Sequence, residues 1–525
     1  MSTGALPKNG YASLSRGVLG VRNFLRRHAL LEQLLPAGMF LLGLIAVIIA
    51  NYLMASTSSA ALIAGGVIGA FVALWVALRP QVGLYLLVVF TYLNLSDALE
   101  VSFGIPKINQ PLIALIVVSV LANRIVLKRK PLVFRGVEAV MVLYGAVAAI
   151  SVLFAAANQS AALDRLIDWL KDFAILIIMV QLCDEEHTFT TALWALIASA
   201  ALVAALSWYH TLTGDTDNTF FGLAKSGVHQ IVGETDDLRV TGPLDDPNFY
   251  AQILLMVFPL AAYRALTGTT HSGRLIGMLS TVLIAGAAIF TYSRGGFLAL
   301  IVVSGLLVLE RKYNLLRAAS IGVVLVALVL PILPSGYVDR LLTLGDALSS
   351  NTSVQTEASL RGRSSEMIIA LQMFADNPIL GVGKRNYSEL YLEYSVVLGL
   401  DPRLEDRRAH SLYLELAAEM GALGILSFGG ILLALLLSTA RARRQFRQLD
   451  RPDWVAWTAS LQLGIVSYLI TSIFLHGDYA RYMWIMFALA ASTSVLSQAM
   501  RDRRNALLRE QSQAVLPVAA LEERD

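Results

Sequence analysis

The strongest constraint on this chain is the repetition of long apolar stretches along most of its length. Crossing a bilayer takes about 20 mostly apolar residues in a helix, because the hydrocarbon core offers the backbone no hydrogen-bond partners. Hydrophobic residues make up 56% of the chain and charged residues 15%. The sequence therefore predicts an all-α integral membrane protein with about 12–14 transmembrane helices. The candidate helices lie near residues 34–54, 59–78, 82–95, 110–127, 136–156, 165–183, 189–212, 247–263, 275–292, 297–310, 316–333, 411–438, 455–475 and 480–499.

Basic residues collect in alternate connections between these stretches. By the positive-inside rule such connections face the cytoplasm, and an even number of spans places both termini there. The two long polar connections, about 213–246 and 334–410, then emerge together on the opposite, outer face. The net charge of +3 gives no support for nucleic-acid binding. The basic residues are Lys128, Arg129, Lys130 and Arg135; Arg311, Lys312 and Arg317; Arg441, Arg443, Arg444, Arg447 and Arg451; and Arg501, Arg503, Arg504 and Arg509.

The apolar stretches and the polar connections between them divide the chain into four predicted parts. Amphipathic helices should form the second long connection, because residues 364–375 carry apolar residues at helical spacing. The breaker Asn377-Pro378 and the turn at residues 381–383 follow, and residues 386–399 form a second amphipathic stretch. The predicted parts are N-terminal transmembrane helices at 1–333 with the outer loop 213–246, a lid of amphipathic helices at 334–410, C-terminal transmembrane helices at 411–500 and a cytoplasmic tail at 501–525.

Three arginines on the predicted outer face could bind an anion. Arg294 lies between two apolar stretches and precedes Gly295 and Gly296, which would let another group approach the backbone closely. Arg239 precedes a turn-rich segment, and Arg363 opens the predicted lid helix. Converging guanidinium groups would bind a diphosphate bidentately and stay charged at physiological pH. A solvated or snorkelling arginine is the alternative at each position.

His410 lies where the lid meets the next apolar helix, and Glu415 and Glu419 follow on that helix. A neutral imidazole could take a proton from an acceptor hydroxyl, which is work suited to its ordinary pKa of about 6.5. A simple interfacial anchor is the alternative. No His or carboxylate cluster has metal-ligand spacing, and Cys183 is the only cysteine, so the sequence predicts neither a metal site nor a cofactor.

Charged residues also lie at the start of the apolar stretch 165–183. Asp164, Asp168, Lys171 and Asp172 share one helical face, and Asp168 and Lys171 are spaced to pair. Self-neutralising pairs are one explanation, and an acceptor or headgroup contact is another. A proton or ion relay is the third, which would make the protein a secondary transporter. Such transporters show helices broken by Gly or Pro in corresponding halves, and no such pairing is visible.

Four segments between about residues 235 and 435 carry the most distinctive residues: RVTGPLDDPNFYAQILLMVFPLA, TYSRGGFLALIVV, RSSEMIIALQMFADNPILGVGKRNY and HSLYLELAAEMGALGILSF. In order and relative spacing they resemble the bacterial O-antigen ligase and O-antigen polymerase superfamily of membrane glycosyltransferases. Two positions depart from the pattern of that family. Ser411 stands where an Asn often follows the His, and Met367 stands where many members have Trp.

The resemblance implies a GT-C-like fold and a metal-independent, inverting transfer of glycan from undecaprenyl diphosphate at the periplasmic face of the bacterial inner membrane. It implies that Arg239, Arg294 and Arg363 contact the diphosphate. It also implies that His410 is the base and that Glu419 is the acidic residue of a Glu-x-Gly element. The implied partners are an undecaprenyl-diphosphate-linked oligosaccharide, membrane lipids and a hydroxyl acceptor on glycan, lipid A-core or protein.

The sequence does not separate a ligase from a polymerase, although the long lid slightly favours a polymerase of O-antigen or exopolysaccharide. Glu415, Lys384 and Arg481 are further candidates for the acceptor side of the site. Two other classes of function remain as alternatives. One is a secondary transporter or flippase of polysaccharide precursors, and the other is a scaffold of a polysaccharide export complex, which would need no convergence of arginines.

Overall fold

Helices form nearly all of the regular structure. The computed structural model describes residues 58–127, 132–134, 136–228, 238–311, 354–400, 402, 407–477 and 481–522. In chain order its helices are α1 (Ser58–Leu78), α2 (Pro80–Tyr92), α3 (Leu95–Phe103), α4 (Asn109–Leu121), α5 (Val137–Leu153), α6 (Gln159–Leu182), α7 (Glu186–Thr213), α8 (Pro247–Thr267), α9 (His271–Phe290), α10 (Arg294–Glu310), α11 (Val354–Asp376), α12 (Asn386–Val397), α13 (Leu412–Gln448), α14 (Pro452–Thr471) and α15 (Arg481–Glu522). A π-helical turn, Ala122–Leu127, and a 3-10 turn, Phe220–Gly222, accompany them. The two strands β1 (Lys225–Val228) and β2 (Leu238–Gly242) pair antiparallel.

Six helices of the described residues are long and apolar enough to cross a membrane, namely α7, α8, α9, α13, α14 and α15. The bent pair α2 and α3, which meet at 68°, adds a seventh candidate if it counts as one span. The predicted all-α membrane fold is therefore confirmed, and the protein is a multi-pass membrane protein. The predicted spans 34–54 and 316–333 lie outside the described residues, so the count of about 12–14 stays a prediction.

The chain divides into two compact units, the first comprising residues 1–84 and 110–132. Within this unit, α4 packs against α1. The Ser119 Oγ donates a hydrogen bond to the Val76 carbonyl at 2.8 Å and lies 3.1 Å from the Ala77 carbonyl. A serine bonded to backbone carbonyls brings two apolar helices together without leaving its hydroxyl unpaired.

The second unit, residues 85–109 and 133–525, contains all of the predicted functional residues. Its central helix is α8, in which every residue from Tyr250 to Tyr263 is buried. This helix packs between α9 and α14, while α13 packs against α5, α14 and α15. An apolar helix buried on all sides is typical of the interior of a helical membrane protein.

Three of the basic connections meet at one end of the second unit. The Arg443 guanidinium pairs with Glu310 at the end of α10, and Arg451 pairs with Glu186 at the start of α7. Arg504 of α15 donates to the backbone carbonyl of residue 448 at the end of α13. The N-termini of α8, α10 and α13 lie at the other end of their helices, and there the candidate site is found.

The lid helices α11 and α12 reach the membrane helices through an interruption of α13. Gly421 has a φ of 62° and a ψ of −158°, so the helix breaks at this residue. The amides of Val382 and Gly383 donate to the Ala418 and Glu419 carbonyls at 2.9 and 3.0 Å. Beyond the break, the amide of residue 422 donates to the Pro378 carbonyl at 2.8 Å. The lid turn therefore satisfies backbone groups that the broken helix leaves open.

Several predicted boundaries change. The lid helix α11 begins at Val354 and not near Arg363, because the polar residues before Arg363 include good helix formers and no proline. The helix break at residues 377–378 and the second lid helix are confirmed. The helix that begins at Leu412 runs to Gln448, ten residues past the predicted end. The boundaries between the four predicted parts stay predictions, and α15 continues as a helix through residue 501.

Gly381→Ala should destabilise the protein more than Gly399→Ala. Both glycines have positive φ, 68° and 63°, so both variants carry the left-handed strain of about 1–2 kcal/mol. A Cβ at Gly381 would lie 2.4 Å from the Glu419 carbonyl carbon, whereas a Cβ at Gly399 would meet nothing within 4 Å. Overpacking adds about 1–3 kcal/mol at the first position. Thermal unfolding midpoints in one detergent measure the difference, and equal shifts would contradict the close docking of the lid turn.

Candidate functional site

Arg239 is buried on β2, with 6% of its surface exposed. Its Nε donates a hydrogen bond to the Thr291 carbonyl at 2.8 Å, and Nη2 donates to Asn248 Oδ1 at 3.4 Å. Thr291 directly follows α9, and Asn248 lies in the first turn of α8. The guanidinium therefore joins two helix ends, and the alternative of a solvated loop arginine is wrong.

Arg294 is the first residue of α10, directly after the N-cap Ser293. The Ser293 hydroxyl accepts a hydrogen bond from the Gly296 amide at 3.2 Å. A Cβ on Gly296 would lie 2.9 Å from a side chain of α8, and a Cβ on Gly295 would lie 3.0 Å from Phe474. The predicted close approach at the paired glycines is thus confirmed. The helix N-terminus adds partial positive charge beside the guanidinium, which favours an anion.

Aromatic contacts connect His410 with these helix ends. The His410 and His476 rings lie edge to face with centroids 5.7 Å apart, and His476 contacts Phe249 in the same way at 5.1 Å. Phe249 directly follows Asn248, whose side chain accepts a hydrogen bond from the Arg239 guanidinium. Phe474, which packs on Gly295, lies two residues before His476. The structure therefore gathers three predicted functional residues at one end of the helices.

A buried carboxylate faces the imidazole of His410. Glu366 Oε2 lies 3.6 Å from His410 Nε2, and the glutamate side chain is 3% exposed against 35% for the histidine. Arg407 Nη1 binds the other carboxylate oxygen at 3.3 Å. The Tyr387 hydroxyl donates to the Glu366 carbonyl at 2.8 Å, which fixes this turn of α11. Arg363 lies one turn earlier on the same helix and close enough to influence the His410 charge.

Burial, the neighbouring His476 and the positive Arg363 together lower the pKa of His410 from 6.5 to about 4, while Asp246 opposes the change. Proton binding is favoured only below the pKa, so the imidazole is neutral throughout the physiological range. A neutral imidazole keeps the lone pair that a general base needs.

Glu415, Glu419 and Lys384 form a second polar group in which all three side chains are buried. Arg408 Nη1 and the amide of Gly477 each lie 3.4 Å from a different Glu415 carboxylate oxygen. The Lys384 Nζ donates to the Tyr144 hydroxyl at 3.0 Å. Burial lowers the pKa of Lys384 to about 8, and the carboxylates of Glu419 and Glu415 oppose this change.

Among the residues that the structure describes, Glu419 belongs to this second group and not to the pair formed by His410 and Glu366, which is called the His410 pair below. Its carboxylate accepts a hydrogen bond from the backbone of Arg385. Glu415 bridges the two groups, since its partner Gly477 adjoins His476, which packs on His410. Any action of Glu419 on His410 would therefore be indirect.

Arg481 is held in an ion pair within the membrane helices. Its Nε lies 3.2 Å from the Asp172 Oδ1, and the Asp172 side chain is buried. Lys171 pairs with Asp168 at 2.9 Å, as the spacing predicted. Since buried charges are tolerated when paired, these contacts favour the self-neutralising explanation over a relay. Arg481 thus has a structural partner away from the His410 pair.

Three residues around the candidate site have strained backbone. Tyr292, Arg385 and His410 have positive φ values of 52°, 62° and 43° although none of them is a glycine. These residues lie beside Arg294, beside Lys384 and at the imidazole itself. Strained backbone persists where the surroundings fix it, and it is commonly found at active sites.

No group of three or more His, Cys, Asp or Glu side chains that could hold a metal ion occurs among residues 58–522 where the structure describes them. Sequence reasoning missed Glu366 and Arg407. Glu366 stands three residues after Arg363 on the lid helix, and this spacing could have indicated a shared face. Arg407 approaches Glu366 only through the fold, which spacing does not reveal.

Residues 279–429 match the family described as O-antigen ligase. This segment contains Arg294, Arg363 and His410, together with Glu366 and Glu419. The resemblance to the O-antigen ligase and polymerase superfamily is confirmed, and it supports glycan transfer of the ligase or polymerase type as the general activity. No curated protein matches the chain.

His410 should remain neutral in an NMR titration of labelled imidazoles from pH 8 down to about pH 5, and it should protonate near pH 4. The reason is its burial beside His476 and the positive Arg363. Arg363→Gln should raise the His410 pKa by removing one of these charges, and His410→Asn assigns the signal. A wild-type midpoint near 6.5 would contradict the described burial.

Proposed function

We propose that the chain transfers glycan from an undecaprenyl-diphosphate-linked oligosaccharide to a hydroxyl acceptor at the periplasmic face of the bacterial inner membrane. The observation that carries the proposal is the meeting of Arg239, Arg294 and His410 at one end of the helices, with Arg363 beside the histidine. The basic end of the same helices is then cytoplasmic, as are both termini, by the positive-inside rule.

The arginines would bind the diphosphate of the donor. Arg294 offers a guanidinium at the N-terminus of α10, where backbone amides and the helix dipole also favour an anion. Arg239 is already held against Thr291 and Asn248, so it would contribute a fixed positive charge more than a mobile contact. As the sugar–phosphate bond breaks, negative charge moves onto the leaving diphosphate, and fixed cations stabilise that charge.

His410 would act as the base. With Nε2 facing Glu366, a proton on Nε2 leaves Nδ1 free to take the proton of the acceptor hydroxyl. The acceptor oxygen then attacks the anomeric carbon while the bond from that carbon to the diphosphate oxygen breaks. One displacement inverts the anomeric configuration. The Glu366 carboxylate would orient the ring and stabilise the imidazolium, as the carboxylate of a catalytic triad does.

The proposed transfer needs no metal, because guanidinium groups supply the positive charge that metal ions supply in many phosphate-binding enzymes. A polymerase would add the growing chain to a lipid-linked repeat, and a ligase would move the finished glycan to lipid A-core or protein. His410 would act as the general base in the same way in a polymerase and in a ligase. The ion pairs at Asp172 and Asp168 give the transporter alternative no further support.

Purified protein in proteoliposomes should transfer glycan from the lipid-linked donor in the presence of a chelator. His410→Ala should lower kcat by about 10²–10⁴-fold through loss of the base. Arg294→Ala should abolish most transfer, and Arg294→Lys should restore only part of it because lysine lacks the bidentate fork. Gel separation of products measures the transfer, and a ladder of products would identify a polymerase.

Arg311→Ala is the matched control, since Arg311 lies just beyond the opposite, basic end of the helix that Arg294 begins. It should transfer at the wild-type rate. Folded variants of His410 and Arg294 that both retain wild-type transfer would show that the active site lies elsewhere.

Glu366→Gln should lower kcat by about 10²-fold, within the range of general-base assistance, and leave the donor KM nearly unchanged. The amide keeps the shape of the side chain but cannot stabilise the imidazolium. Glu366→Asp should recover part of the rate, and the pH dependence of kcat should differ between wild type and Glu366→Gln. A change in KM alone, with the pH dependence intact, would assign Glu366 a purely structural role.

A further inference from the structure

A polar cavity of about 350 Å³ opens between the start of α6 and the lid. The residues lining it are Asn158, Ser160, Ala161, Asp164, Arg385 and Glu389. Apart from the single alanine, each of these side chains can donate or accept hydrogen bonds. The cavity lies outside the His410 pair, and the diphosphate chemistry does not use it.

The walls of this cavity are fixed to each other by one asparagine. Asn386 Oδ1 accepts hydrogen bonds from the amides of Ala157 and Asn158 at 2.9 and 2.6 Å, and its Nδ2 donates to the Asn158 carbonyl at 3.1 Å. Across the opening, Asn158 Nδ2 donates to Glu389 Oε1 at 3.2 Å. The cavity is thus shaped before any ligand binds, which lowers the entropy cost of binding.

The charges in the cavity select the kind of ligand. Asp164 and Glu389 repel phosphate and sulfate, whereas the Arg385 guanidinium repels metal cations. A neutral polyhydroxyl compound satisfies both kinds of group, because each hydroxyl donates to a carboxylate and accepts from guanidinium or amide. The volume lies near the lower end of the range of about 300–1,000 Å³ seen for small-molecule sites, which suits a short piece of glycan.

Arg385 connects the cavity with the candidate active site. Its side chain lines the cavity, while its backbone hydrogen-bonds the Glu419 carboxylate. Glu419 and Glu415 both interact electrostatically with Lys384. The Glu415 carboxylate contacts the amide of Gly477, which adjoins His476, and His476 packs on His410. The three arginines of the diphosphate site take no part in this path.

We propose that the cavity between α6 and the lid is a subsite for neutral sugar residues of a lipid-linked glycan repeat that serves as acceptor, held away from the reacting hydroxyl. The subsite rests on the proposed glycan transfer. Asp164 and Glu389 accept hydrogen bonds from sugar hydroxyls, and Arg385 and Asn158 donate to them. Glycan bound in the cavity determines how far the acceptor extends toward His410.

The test uses the full chain in nanodiscs and the glycan repeat of the producing strain, released from its lipid carrier. Glu389→Gln and Asp164→Asn should each weaken binding of this free oligosaccharide about tenfold by calorimetry. Each should raise the acceptor KM by a similar factor and leave kcat within about twofold. Glu393→Gln is the matched control, because it removes the same charge one turn further along α12, outside the lining of the cavity.

The two proposals fail separately. Wild-type binding and KM in both cavity variants would overturn the subsite while transfer continues. Wild-type protein that binds the oligosaccharide, loses that binding in Glu389→Gln and yet transfers nothing would overturn the transferase and the acceptor role, and would leave the cavity as a glycan-binding site alone. Failure of the wild-type protein to bind the oligosaccharide would overturn the subsite directly.

Discussion

The backbone bonds between the lid turn and the interrupted helix α13 determine where the functional side chains lie. The break at Gly421 leaves backbone carbonyls without partners inside the helix, and the amides of Val382 and Gly383 donate hydrogen bonds to these carbonyls. These bonds hold α11 against α13, and α11 carries Arg363 and Glu366. A helix break at membrane depth is tolerated only where protein or water satisfies the freed groups. The lid is therefore part of the membrane fold and not an appendage to it.

The charged side chains at this end of the helices form two groups. In the first group, the positive Arg363 and Arg407 help burial to lower the pKa of His410, which keeps the imidazole neutral, and the buried Glu366 carboxylate faces it. In the second group, Lys384 interacts electrostatically with Glu415 and Glu419 of α13. Glu415 links the two groups through the amide of Gly477. Cations that bind a diphosphate and a base that accepts a proton can coexist because the neutral imidazole avoids repulsion from the arginines.

The sequence predicted the structure best where a local pattern of residues is sufficient to determine the local fold. Apolar length indicated the membrane fold, Asn377-Pro378 indicated the end of a lid helix, and Gly295-Gly296 indicated a close approach. It was least informative where the fold joins distant segments. Glu366 and His410 are 44 positions apart, and the contact of Arg239 with Thr291 spans 52. The break at Gly421 was hidden because the residues around it favour a continuous helix, and only the docked lid turn makes the break stable.

In the proposed transferase, a diphosphate binds among Arg239, Arg294 and Arg363 beside His410. A cryo-EM structure of the full chain with undecaprenyl diphosphate would locate the bound diphosphate. We expect phosphate density at the N-terminus of α10, about 2.7–2.9 Å from the guanidinium nitrogens of Arg294, on the side that faces His410. Phosphate density at the basic end near Arg311 and Arg443, with the His410 end empty, would rule out this diphosphate site.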